Sequence, residues 1–300
     1  EGPPRPASTR GLLIRTAWPI PCDGGWRQTL RMPDIELRTP SGEAAVTVSP
    51  ENGGRWTSLR VGDLEVLGRG GHRLLDWGNY PMAPYAGRIR HGRIEWNGRR
   101  HQLPIDLPPH AIHGVTLDRV WQVLDAAGHQ IALRCDFDTR WPWRGHVVQY
   151  LDLDDTGVHA RLEVHADDEP MPAWTGYHPW FRRRLTRGEP ARFTVTCGYQ
   201  LPRDAEGMPS RTAAPVASPL PDGPWDDVFG DVAWPAAISW DDALRIDIRS
   251  DATYVVVFDE KPDALCVEPQ TAPANAIESG TADVVQPGTP LSMEMQITWS

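Results

Sequence analysis

A chain of 300 residues is long enough for one large β domain or two ordinary ones, with ample material for a core. Thirty Lys and Arg against forty Asp and Glu leave a formal charge of −10, which excludes nucleic acid or an anionic membrane as the main partner. No apolar run approaches the roughly 18–20 residues needed to cross a bilayer.

Residues 1–31 start proline-rich and show no sustained alternation, so they are expected to form a flexible extension outside a single domain spanning 32–300. The short apolar patch at 11–14 is interrupted by Arg15 and does not read as a secretory signal. Ordered β signal begins at 35–38 and continues at 45–48. Arg93-Ile94-Glu95-Trp96 and the segment 99–103 flank Asn97-Gly98, the strongest short hairpin signal. Further strands are predicted at 122–125, 131–137 and 146–153. Over 158–164, Val158, Ala160, Leu162 and Val164 face one way and His159, Arg161 and Glu163 the other. The series resumes at 193–197, 244–248, 254–258, 265–268 and 291–298, and no segment longer than a turn or two has helical periodicity. Many short strands punctuated by 30 prolines and 27 glycines predict an all-β fold, an antiparallel sandwich or barrel. The proline-rich stretch 201–229 departs from this rhythm and reads as a long loop, either functional or disordered.

The four cysteines, Cys22, Cys135, Cys197 and Cys266, form no C-x-x-C pair. Neither a zinc cage nor a disulfide scaffold is suggested, and reduced thiols in a cytoplasmic protein are expected. Titratable residues set among Gly, Pro and aromatics are the candidates for chemistry. Glu268 shares a strand face with Cys266, with Pro269 expected to end the ladder; partial desolvation there would raise its pKa and make it a better base near neutrality. His178 stands before Pro179-Trp180-Phe181 and His113 before Gly114, both on stiff backbone that displays the ring. Arg88 is a lone guanidinium in the proline-stiffened loop 81–89, suited to clamping hydroxyls or a carboxylate. Trp225 with Asp226 and Asp227 offers an aromatic and an acid for a sugar ring. His101, His159 and His165 read as solvated. A metal held by His113, His178 and Glu268 is opposed by Arg88 nearby, and no phosphate loop, H-E-x-x-H or G-x-S-x-G is present.

At these islands the chain resembles the aldose 1-epimerase (galactose mutarotase-like) family over most of 32–300, through segments 84–89, 92–98, 109–114, 176–181, 201–229 and 267–273 taken in order. The resemblance implies a large antiparallel β-sandwich and a cofactor-independent isomerase, with a small-molecule sugar as its partner. It implies that Glu268 is the general base at the anomeric hydroxyl, His178 the general acid at the ring oxygen, and His113 a second imidazole on that side. Arg88 then binds substrate, as does Asp226, with Asp227 its neighbouring alternative. Gly87 stands where many members carry asparagine, and the Gly-Tyr-His-Pro-Trp-Phe setting of His178 differs from that of the galactose enzymes. A free aldohexose is the first expectation. A hexose 6-phosphate read by Arg182–Arg184, or carbohydrate binding without turnover, are the alternatives.

Overall fold

The computed structural model describes residues 32–69 and 73–300, and Met32–Ser300 forms one compact unit. The expectation for residues 1–31, like Cys22, lies outside the described residues. Two large antiparallel sheets carry the fold. The first runs, in spatial order, Ile35–Arg38, Ala44–Ser49, Arg55–Val61, Asn79–Met82, Gly176–Arg182, Ala264–Gln270, Tyr254–Phe258, Asp226–Gly230 and Tyr199–Leu201. The second runs Gln122–Ala127, Gln130–Asp136, Gly145–Asp154, Gly157–Ala166, Leu291–Trp299, Leu244–Ser250, Ala236–Trp240 and Arg192–Thr194. One α-helical turn, Ala276–Ser279, is the only α-helix among the described residues, and none of their helices could cross a membrane.

Alternation explains how the first sheet builds both a core and a site. Tyr177, Phe181, Leu265, Val267, Val255, Val257 and Phe229 are fully buried and lie on one face of its central strands. Each such side chain contributes about 1.5–3 kcal/mol on burial. Trp56 on this sheet donates from Nε1 to Gln149 Oε1 on the second at 2.9 Å, and Gln149 Nε2 donates to the Gly54 carbonyl at 2.8 Å. The intervening residues, His178, Trp180, Cys266, Glu268, Val256, Val228 and Asp226, turn to the opposite face.

Loops cover that second face, so all seven residues of Ala264–Gln270 are buried. Here the structure departs from expectation: the strand runs through Pro269 to Gln270 instead of ending before it. Pairing with Gly176–Arg182 joins Gly176 to Gln270 and resumes at Trp180 and Cys266, skipping three positions on each strand. Pro179 and Pro269 each remove a donor from the skipped stretch. The proline-bearing strands Asn79–Met82 and Gly176–Arg182, whose sequences lack clean alternation, are central to the sheet.

Candidate active site

Strand register assembles the site. With Gly176 opposite Gln270 and Trp180 opposite Cys266, His178 stands across from Glu268 in the unpaired gap. Tyr80 flanks His178 on one side and Val256 flanks Glu268 on the other. In the neighbouring row Asp226 pairs with Phe258, which pairs with Cys266. The 90 residues that separate His178 from Glu268 in sequence are thus reduced to adjacent positions on one sheet face. His178, Glu268, Val256, Phe258 and Asp226 line a cleft with a cavity volume of about 160 Å³.

His178 Nε2 lies 3.3 Å from Glu268 Oε1, with side-chain exposures of 8% and 3%. The imidazole is stacked between Tyr80 and Trp180, centroids 4.8 and 5.0 Å away, while His113 meets it edge-on at 5.1 Å. That stack fixes the ring plane. Gln270 Nε2 donates to Glu268 Oε2 at 3.3 Å, orienting the carboxyl and leaving Oε1 toward the histidine.

His113 adopts a left-handed φ of 56° and is followed by Gly114 at 83°. A Cβ on Gly114 would stand 2.0 Å from the Ala83 carbonyl oxygen, so only glycine lets this loop lie against the segment before Arg88. The His113 N–H donates to the Gly87 carbonyl at 3.0 Å, and the Gly87 N–H donates to His113 Nδ1 at 3.2 Å. With Nδ1 accepting, the neutral ring carries its hydrogen on Nε2. Arg88 donates to the Gly207 carbonyl at 3.0 Å and lies 3.5 Å from Asp226 Oδ2. Arg203 grips the same Asp226 oxygen from the long loop. Of the two adjacent acids, Asp226 lines the cleft; Asp227 lies on the core face, with Arg203 Nε at 3.6 Å.

Burial dominates the electrostatics. It pushes Glu268 well above the carboxylate range, reinforced by Asp226 and opposed by Gln270 and Arg88. Burial lowers His178 to about 3, with Arg55 and Lys261 acting in the same direction. His113 is also held well below the imidazole range, by burial and then by His178 and Arg88. Burial raises Asp226 as well, against the pull of Arg88 and Arg203. Burial thus disfavours the charged form of both partners, the carboxylate of Glu268 and the imidazolium of His178.

Glu268, His178, His113, Arg88 and Asp226 all line this one cleft. Other expectations are corrected. Trp225 does not line it: its Nε1 donates to the Pro221 carbonyl at 2.9 Å and its ring packs edge-on against Phe229, because residue 225 falls on the wrong parity of the strand beginning at Asp226. Trp180 and Phe258 form the aromatic wall instead, 5.5 Å apart. Arg182 and Arg183 spend their guanidinium groups on the carbonyls of Leu67 and Asp259, and none of Arg182–Arg184 lines the cleft. His101, His159 and His165 lie outside it. Among the described residues the group spaced for a metal is His178, Cys266 and Glu268, which does not include His113. Arg203, Gln270 and Lys261 also line the cleft and were not singled out as cleft residues from sequence. Gln270 was detectable by parity with Glu268; Arg203 carried no local signal.

A family model for aldose 1-epimerase matches residues 33–298. YphB of Escherichia coli K12, an uncharacterised protein, is 23% identical over 197 residues, which are 62% of this chain and 63% of that one. Among solved structures, a galactose mutarotase-like protein from Clostridium acetobutylicum superposes with a TM-score of 0.77 at 16% identity, covering 86% of this chain and 93% of its own. Galactose 1-epimerase from Lactobacillus acidophilus gives 0.75 at 19% identity, covering 89% and 94%. At such identities the structural likeness establishes the fold, and the match over nearly the whole length establishes the lineage: the chain belongs to the aldose 1-epimerase family.

Proposed function

We propose that this protein interconverts the α and β anomers of an aldohexose by acid/base opening of the pyranose ring, using no cofactor. The observation that carries the reading is the buried His178–Glu268 pair, 3.3 Å apart on the floor of an open cleft. Ring opening takes one proton from O1 and delivers one to O5, so it needs an acceptor and a donor a few ångströms apart. Glu268 is the base at O1 and His178 the acid at O5. These roles require the pair's proton on His178, with Glu268 as the carboxylate. After rotation about C1–C2, closure on the other face runs the transfers in reverse. His113, with hydrogen on Nε2, donates to the ring-oxygen side, while Arg88 and Asp226 hold ring hydroxyls.

Polarimetry of freshly dissolved α-glucose and α-galactose tests this. Replacing Glu268 by Gln keeps the shape and removes the proton acceptor, so the catalysed rate is expected to fall at least about 100-fold. An unchanged rate would refute proton transfer by Glu268, and a wild-type rate no faster than the uncatalysed one would leave sugar binding without turnover. A second reading, an aldose bearing a phosphate, has one specific support. At the cleft's outer end Arg73 and Lys261 share the single carboxylate of Asp76, at 3.0 and 3.4 Å, leaving a cation in excess. Rates on glucose 6-phosphate in the same assay decide between them.

A further inference from the structure

We propose that His178 Nε2, Cys266 Sγ and a carboxylate oxygen of Glu268 form a binding site for a borderline-soft divalent cation such as Zn²⁺, which occupies the floor of the cleft as an inhibitor. The three ligand atoms lie within 4.8 Å of one another and come from two adjacent strands of one sheet. Zinc bonds of roughly 2.0–2.1 Å to nitrogen and oxygen imply a tetrahedral N···O edge of roughly 3.3 Å. The His178–Glu268 separation is 3.3 Å. A zinc–sulfur bond of roughly 2.3 Å asks for S···N and S···O edges of roughly 3.5 Å, so Cys266 must close from a separation of at most 4.8 Å. The fourth position faces the cleft, which His178 and Glu268 both line.

Ligand chemistry and charge agree with the geometry. Thiolate, imidazole and carboxylate together favour zinc or cobalt over magnesium or calcium. Gln270 holds the second carboxyl oxygen, the kind of outer contact that orients a metal ligand. Bound as thiolate and carboxylate, Cys266 and Glu268 bring two negative charges, so with Zn²⁺ the complex sums to zero charge. Arg88 and Lys261, both on the cleft, then face a neutral complex. Cys266 is a buried free thiol that the anomerisation chemistry leaves unused.

Only the inhibitory role rests on the proposed anomerase activity. Titration of the full chain with Co²⁺ reads the site without it: the expected result is a near-ultraviolet thiolate-to-cobalt charge-transfer absorption saturating at one ion per chain, absent in Cys266→Ser. Zn²⁺ is expected to raise the KM for the sugar and leave kcat unchanged. Cys266→Ser keeps the metal-free rate and raises the zinc inhibition constant at least about tenfold. Absence of the cobalt band in the wild type, its survival in Cys266→Ser, or zinc inhibition through kcat alone would overturn the site. A cobalt band in a chain that fails to interconvert anomers would sink the function and retain the metal site.

Discussion

The hydrogen bond joining the two sheets is a sensitive point of this fold, and Trp56→Phe probes it. Trp56 and Gln149 are both fully buried, the indole N–H donating to Gln149 Oε1 at 2.9 Å. Phenylalanine leaves that amide oxygen without a donor, at a cost of about 1–3 kcal/mol. It also removes roughly 40 Å³ of packed volume, worth about 1 kcal/mol at the usual cavity coefficient. The sum is about 2–4 kcal/mol, or about 4–12 °C in Tm for a domain of this size. Gln149→Leu strands the indole donor and also the Gly54 carbonyl, which accepts from Gln149 at 2.8 Å, so it should cost a similar amount. In the double variant the indole and its acceptor are both gone. Urea unfolding of the four proteins is therefore expected to show a favourable coupling of at least about 1 kcal/mol. Additive losses would refute the claim that this contact ties the sandwich together.

Gly114→Ala drives a Cβ to 2.0 Å from the Ala83 carbonyl oxygen at a φ of 83°, so thermal unfolding should reveal a loss of about 2–4 kcal/mol. A near-neutral result would mean the loop carrying His113 relaxes freely. Arg203→Ala removes one of two guanidiniums on Asp226, and steady-state polarimetry should show KM rising several-fold with kcat little altered. An unchanged KM would separate Asp226 from substrate binding. Lys261→Met leaves Arg73 alone with Asp76; if the substrate bears a phosphate, kcat/KM for glucose 6-phosphate falls about tenfold and that for glucose holds. Equal effects on both sugars would assign Lys261 to packing over Trp180, whose ring it overlies at 4.5 Å.

The all-β class and most strands outside the site were legible in the sequence, because alternation reports a half-buried strand directly. The prediction for 254–258 agrees residue for residue with the strand Tyr254–Phe258, and that for 35–38 with Ile35–Arg38. So were the residues with unusual surroundings: a carboxylate beside a thiol and a proline, and histidines next to Gly or Pro. What local pattern could not express was the strands that carry them. Gly176–Arg182 and Asn79–Met82 contain proline and are covered on both faces, so they lack the two-residue period. Register is a relation between strands, and it alone decided that Glu268 meets His178, that Asp226 faces the cleft while Trp225 turns away, and that Cys266 joins the pair. Residue types and their immediate neighbours determined which chemistry was available. Cross-strand pairing over long sequence separations, set by how the sheet buries its other face, decided which of those groups share a pocket.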